Sequence, residues 1–243
     1  MRPILFEVFG LSVPAYSFFV MLGLAVGGFI FFIEARRKKM LNENFFFLFL
    51  AGLFGGILGA KLPIWIYHYK EIIAGFSNIN LILSGRTVVG GIIGGWVAVE
   101  IVKRKLGIKY RTGDLFAPAL ALGEAIGRIG CFLRGCCYGI ATSLPWGVNF
   151  GDGILRHPTQ IYSAIFNLGL FFYLWLVRKK VKNEGDLFQR YLIIYFTFRF
   201  FIEFIRVSPK VIFGLTGFQL AAIGIIVYTL IRGSRTKQTI NNY

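Results

Sequence analysis

The chain has 243 residues, with 27 Lys and Arg against 11 Asp and Glu, for a formal net charge of +16. It is 56% hydrophobic, carries 27 Phe and is charged at only 16% of positions, against roughly 25% in average globular proteins. This balance excludes intrinsic disorder and a solvated basic nucleic-acid-binding domain, and three cysteines are too few for a secreted disulfide scaffold.

What remains is an all-α, polytopic membrane protein, with residues 1–243 forming one membrane-embedded domain. A helix crossing the hydrocarbon core needs about 20 mostly apolar residues. Seven stretches qualify as transmembrane helices: 12–33, 44–67, 85–102, 113–133, 158–177, 187–206 and 214–231. The first carries Tyr16 near one end and is followed by Arg36, Arg37, Lys38 and Lys39. The second contains Lys61. The third opens on Gly85, Gly90 and Gly91 and is followed by Lys103, Arg104, Lys105, Lys109 and Arg111. Arg178, Lys179, Lys180 and Lys182 follow the fifth, and Arg232, Arg235 and Lys237 the seventh. Sixteen of the 27 basic residues thus follow odd-numbered spans. Basic loops stay cytoplasmic, so the N-terminus is expected outside and the C-terminus in the cytoplasm. No cleavable signal peptide is expected, because the charge follows the first apolar run.

Glycines pair four apart inside the spans: Gly23 with Gly27, Gly52 with Gly56, Gly55 with Gly59, Gly90 with Gly94, Gly91 with Gly95, and Gly123 with Gly127. Such stripes let helix backbones approach closely. A second reading of Gly85, Gly90 and Gly91 is a broken, loop-like backbone lining a polar cavity. The tetrapeptide Gly-Asp-Leu-Phe opens the fourth and sixth spans, at 113–116 and 185–188, and makes Asp114 and Asp186 candidate N-caps.

Arg128 lies 14 residues after Asp114, and Arg199 lies 13 after Asp186. At 1.5 Å per residue both sit about 20 Å from the inner end, in the outer half of a core about 30 Å thick. Lys61, Arg206, Tyr16, Arg134, Arg156 and His157 fall towards the same side. Glu124 and Glu203 are each four residues from an arginine, on one helix face, where they can pair. Two carboxylates do not balance the cations, and charges held in a membrane face a bundle interior or a water-filled cavity. A phosphate satisfies the excess, because the planar guanidinium donates in bidentate fashion.

The segment from Gly127 to Gly139 holds Cys131, Cys136 and Cys137, and Arg156-His157-Pro158-Thr159-Gln160-Ile161-Tyr162 follows. The three cysteines admit packing, a disulfide, or a thiol activated by nearby Arg128, Arg134 and His157. A metal centre is not expected, since four well-spaced ligands are lacking. His157 is a candidate general base, or a loop tie through its ring N–H to a backbone carbonyl. Pro158 starts the fifth span, where Thr159 and Gln160 add polar groups.

With these residues in place, the chain resembles the prolipoprotein diacylglyceryl transferases of bacterial inner membranes over nearly its whole length. The resemblance rests on Gly127-Arg128-Ile129-Gly130 with Phe132 and Gly135, on residues 156–162, on Phe198-Arg199, Glu203-Phe204 and Arg206, and on the paired Gly90-Gly91. The chain has Val89 where the family usually has His, Cys131 where Asn is usual, Arg134-Gly135-Cys136 for Asn-Gly-Glu, and Lys61 where Arg is typical.

The resemblance implies transfer of a diacylglyceryl group from phosphatidylglycerol to a lipobox cysteine of a prolipoprotein signal peptide, with glycerol phosphate leaving and no cofactor or metal required. It implies Arg128, Arg199 and His157 as catalytic residues. Arg128, Arg199, Glu203, Arg206, Lys61, Tyr16, Gly90, Gly91 and Gln160 are then the phospholipid-binding set. Two readings compete with it: a phospholipid-binding or phospholipid-moving protein of the same fold without this chemistry, and a small-anion transporter. The second of these expects polar groups at the midplane on several helices, whereas here they gather towards one face.

Overall fold

A computed structural model describes residues 2–8, 11–70, 87–181 and 183–241; Gly85 and Lys182 lie outside them. Among the described residues the protein is mostly helical, with α1 (Ala15–Arg37), α2 (Glu43–Tyr67), α3 (Val88–Lys105), α4 (Gly113–Arg134), α5 (Thr159–Val177), α6 (Asp186–Ile202) and α7 (Gly217–Asn241). Each expected span overlaps one of these helices, with ends that differ by up to about ten residues. A 3-10 turn, Glu203–Ile205, extends α6.

The all-helical expectation fails in three short antiparallel hairpins. They are β1 (Ile4–Val8) with β2 (Leu11–Pro14), β3 (Val148–Asn149) with β4 (Leu155–Arg156), and β5 (Lys210–Ile212) with β6 (Leu215–Thr216). Two of them take residues assigned to span ends. Helix α1 starts after Pro14, the last residue of β2. Helix α7 starts after Thr216 in a reciprocal cap: the Thr216 hydroxyl accepts from the Gln219 N–H (3.3 Å) and the Gln219 amide oxygen accepts from the Thr216 N–H (2.9 Å).

Four helices, α1, α2, α4 and α5, are long and apolar enough to cross a membrane, and Gly217–Arg232 is a shorter apolar stretch. Met21 and Phe29 on α1, Phe54 and Ile66 on α2, and Ile165 and Leu176 on α5 are more than half exposed. An aqueous surface rarely tolerates apolar groups on that scale, whereas lipid chains solvate them.

The chain divides into two compact units, residues 1–34 with 111–243, and residues 35–110. In the second unit α2 and α3 mesh through glycine. A Cβ added at Gly94 would lie 2.6 Å from the Gly59 Cα, and one at Gly55 would lie 2.7 Å from the Gly94 carbonyl oxygen, closer than real Cβ atoms approach. Gly95 faces Gly52, and Gly91 faces Gly56. Gly90 and Gly91 lie inside the continuous helix α3. The loop-like alternative therefore fails there: the helix keeps its own hydrogen bonds, and the missing side chains serve contact with α2.

In the first unit α4 packs against α5 and α6, and α6 against α7, around buried Leu115, Leu174, Leu187, Tyr191, Tyr195 and Phe196. Helix α1 meets α4 where Gly23 faces Gly123, and Gly27 faces Ala119. The expected partner glycine, Gly127, faces open space instead, and Gly130 takes the next contact, against Tyr16 and Phe19.

The repeated tetrapeptide is used asymmetrically. The N-cap of α4 is Thr112, and that of α6 is Gly185, in the left-handed region at φ 85°. Gly185 has no side chain to cap with. Asp114, buried in the first turn of α4, does it from across the unit, accepting from the Gly185 and Phe188 N–H groups (3.0 Å each). Among the described residues, Asp186 accepts from the Asn183 side-chain amide alone (3.1 Å). Neither aspartate is thus the N-cap of its own helix. The basic clusters are also not wholly solvated: buried Lys103 bonds Glu100 (3.2 Å), and Arg178 pairs with the fully buried Glu34 (2.9 Å).

Two substitutions test this packing by thermal unfolding in detergent. Gly94→Ala should destabilise by about 1–3 kcal/mol through overpacking, whereas Gly224→Ala, whose Cβ meets nothing within 4 Å, should not lower the midpoint. Asp114→Ala should cost about 1–2 kcal/mol as two helix-start donors lose their acceptor, and Asp186→Ala about 0.5 kcal/mol or less.

Candidate functional site

Helix α4 carries Glu124 and Arg128 one turn apart. The Glu124 Oε1 accepts from Arg128 Nη2 (2.9 Å), from Arg128 Nε (3.2 Å) and from the Tyr195 hydroxyl of α6 (3.2 Å). One turn after Tyr195, Arg199 pairs through Nη1 with Glu203. Arg206 Nε lies 3.7 Å from the same Glu203 oxygen. The Glu203 side chain is fully buried, and those of Arg128 and Arg199 are less than a tenth exposed. Three guanidiniums therefore share two carboxylates. Among the described residues, Arg206 Nε and Nη1 are buried without an acceptor at hydrogen-bond distance, and the facing Glu203 oxygens and Glu124 Oε2 are buried with no hydrogen bond of ordinary geometry. Unmatched donors of this kind are costly unless an anion meets them.

The segment after α4 brings further groups to this end of the unit. Gly135 ends the helix in the left-handed region, φ 74°, and Cys137 follows at φ 66°, unusual for a residue with a side chain. The Cys136 N–H returns to the Cys131 carbonyl (3.1 Å). From the first turn of α5, Thr159 donates to the Cys137 carbonyl and Gln160 to the Cys136 carbonyl, each at 2.7 Å. The Gly139 N–H donates to the His157 carbonyl (2.9 Å), and the Ile140 N–H to the Ile205 carbonyl (2.9 Å), beside Arg206. A Cβ at Gly139 would lie 2.8 Å from the His157 Cβ, so glycine is needed where the strands of this loop cross.

The expected site residues fall into three groups. Arg128, Arg199, Glu203 and Arg206 form the charged network itself. Gln160 is fully buried and spends its donor on the loop, while Tyr16 lies under the Arg134 guanidinium, 5.1 Å from ring centre. Lys61, Gly90 and Gly91 belong to the second unit, where Lys61 is half-buried on α2 and the two glycines face α2.

His157 departs from the loop-tie reading. Its ring Nδ1 meets the Tyr162 hydroxyl (3.3 Å), which accepts from the Trp146 indole N–H (2.8 Å). The backbone of His157, not its ring, ties the loop, donating to the Ile140 carbonyl (3.1 Å). Arg156 is paired with Asp152 (2.7 Å) and stacked on Tyr138; its guanidinium holds the Asp152 carboxyl below the usual carboxylate range. All three cysteines are free thiols, so the disulfide reading finds no bond here. Hydrogen bonds from Cys131 and Cys136, with Arg206 and Arg128 nearby, hold the Cys137 thiol below its ordinary range.

Tyr195 was not among the expected site residues. Its signal was present in the sequence, since Tyr191, Tyr195 and Arg199 recur at four-residue spacing along one face of α6. Glu34 gave no comparable signal, because its partner Arg178 is distant in sequence.

Comparison of the sequence with known proteins shows what the chain is similar to. A family model described as prolipoprotein diacylglyceryl transferase matches residues 3–232. The chain is 37% identical over 217 residues to the phosphatidylglycerol–prolipoprotein diacylglyceryl transferase of Clostridium tetani, covering 86% of this chain and 87% of the relative. It is 33% identical over 242 residues to phosphatidylglycerol–prolipoprotein diacylglyceryl transferase 2 of Clostridium perfringens, covering 96% and 93%. For the enzyme of the same name from Clostridioides difficile the identity is 30% over 245 residues, covering 100% and 98%.

The shared carboxylate is open to a stability test. Glu203→Ala leaves Arg199 and Arg206 buried without their counter-charge and should destabilise by about 3–5 kcal/mol. Asp152→Ala breaks a pair at the surface and should leave the thermal midpoint unchanged.

Proposed function

Because the chain belongs to the prolipoprotein diacylglyceryl transferase family, we propose that it moves a diacylglyceryl group from phosphatidylglycerol to the lipobox cysteine thiol of a prolipoprotein, releasing glycerol phosphate. One observation carries the assignment of the site: three guanidiniums share two buried carboxylates, and among the described residues Arg206 has buried donors with no acceptor at hydrogen-bond distance. That surplus suits the phosphate of a phospholipid headgroup.

In this reaction the lipobox sulfur forms a bond to the glyceryl carbon as the carbon–oxygen bond to phosphate breaks. The bonding electrons stay on the phosphate oxygen, and the thiol proton passes to a base. Arg128 and Arg199 hold the phosphate and stabilise the negative charge that grows as it leaves. Arg206 contributes a third donor, and Glu203 fixes Arg199 and Arg206 without cancelling their charge. His157 is the candidate base, with its ring oriented by Tyr162. Gln160 and Thr159 act at one remove, by holding the loop. No cofactor enters, since the thiolate supplies the electron pair for the new bond.

The same reading places the chain in a bacterial cytoplasmic membrane as one membrane-embedded domain of seven crossings, N-terminus outside and C-terminus inside. The sixteen basic residues that follow odd-numbered spans support that orientation.

The test uses purified protein in phosphatidylglycerol vesicles with a lipobox peptide, following the peptide mass. A diacylglyceryl adduct is expected. Arg128→Lys and Arg199→Lys keep the charge opposite Glu124 and Glu203 but lose the planar fork. Each should slow turnover about 10²–10³-fold with the thermal midpoint retained. Wild-type rates in both would refute the phosphate assignment, and absence of any adduct with the wild-type protein would refute the activity.

A further inference from the structure

We propose that Cys131, Cys136 and Cys137 form a three-sulfur binding site for a soft, thiophilic metal cation. Their Sγ atoms all lie within 4.8 Å of one another. Metal–sulfur bonds of about 2.3 Å would set sulfurs about 3.8–4.0 Å apart, so the thiols need close by less than about 1 Å. Three protein ligands with a fourth position left to water make an open coordination site. Counting ligands along the sequence demanded four and so passed over it.

The surrounding structure holds the three sulfurs together. Cys131 stands on the last turn of α4, and the left-handed turns at Gly135 and Cys137 fold the chain back over it. The fully buried Thr159 and Gln160 clamp the carbonyls of Cys137 and Cys136, as outer residues do for metal ligands. A left-handed Cys137 is the kind of local strain that a surrounding structure maintains at functional positions. Cys137 is exposed, which leaves an entry path.

The donor set selects the cation. All three ligands are sulfur, which favours soft ions such as Cu(I), Zn(II) or Cd(II) over Mg(II) or Ca(II). Three thiolates around a divalent ion carry a net charge of −1, and neighbouring Arg128, Arg134 and Arg206 offset it. Each thiol gives its proton to water as its sulfur–metal bond forms, and nothing is oxidised or reduced.

The site adjoins the arginines of the proposed phosphate site, but its readout is binding rather than turnover, so either reading can fail without the other. Full-length protein in detergent, kept reduced by a phosphine, is titrated with cadmium chloride. The thiolate-to-cadmium ultraviolet band should saturate at one ion per chain. The number of thiols alkylated by a maleimide should fall from three to none, a measurement that needs no variant. Cys131→Ser, Cys136→Ser and Cys137→Ser should each weaken binding at least about tenfold, and the triple variant should lose the band. The proposal is overturned if wild-type protein gives no band, if all three thiols stay reactive under saturating cadmium, or if the triple variant binds as the wild type does. It is overturned equally if two of the thiols stay joined as a disulfide that the phosphine does not open.

Discussion

The pairing of buried guanidiniums with too few carboxylates governs the first unit. Glu203 faces Arg199 and Arg206 together, while Glu124 serves Arg128 and the Tyr195 hydroxyl. A charge removed from water is stable only when its donors and acceptors are met. The two carboxylates are therefore placed with care: each lies one helical turn from its arginine, and Tyr195 joins the α4 pair to the α6 face that carries Arg199. This arrangement holds three cations at one end of the unit while leaving a surplus of positive charge there. A fully neutralised cluster would be more stable and would lack the surplus on which the proposed phosphate site rests.

The loop between α4 and α5 lies beside that cluster. It runs past the start of α5 and the segment before Arg206, and backbone hydrogen bonds fasten it to each: Gly139 to His157 and Ile140 to Ile205. Thr159 and Gln160 are buried because their hydroxyl and amide are the remaining fasteners. Polar residues at the head of a helix in an apolar setting would otherwise be a cost, and here each donor is used. The result is a loop fastened at several points, with Cys137 near Arg206 and Arg128 and the His157 ring against Tyr162. In a transferase whose substrate is itself a thiol, a protein-borne thiol cluster at this place is chemically conspicuous.

Glycine does different work in the two units. Between α2 and α3 it is spent on backbone contact, with Gly55 and Gly59 meeting Gly90 and Gly94 so closely that a methyl group does not fit. Lipid offers no hydrophobic drive for helices to associate, so close van der Waals contact takes its place. In the first unit Gly123 and Gly130 serve the same end against α1, yet Gly127, adjacent to Arg128, faces open space. The stripe is continuous in sequence but not in use.

By itself the sequence determined the class of protein, the approximate places of its seven helices, and the i, i+4 pairs Glu124–Arg128 and Arg199–Glu203. Those features follow from local periodicity and composition, which a single chain displays directly. The family motifs were legible for the same reason, because they are contiguous. Only the tertiary structure decided what joins distant segments: that Asp114 caps the helix opened by the other tetrapeptide, that Tyr195 bonds Glu124, that the His157 ring meets Tyr162, that Arg206 shares Glu203 with Arg199, and that three thiols converge. Residues 71 and 74 positions apart, as Asp114 is from Gly185 and Phe188, meet only after helices pack. Their hydrogen bonds form because burial leaves those donors and acceptors no water to turn to.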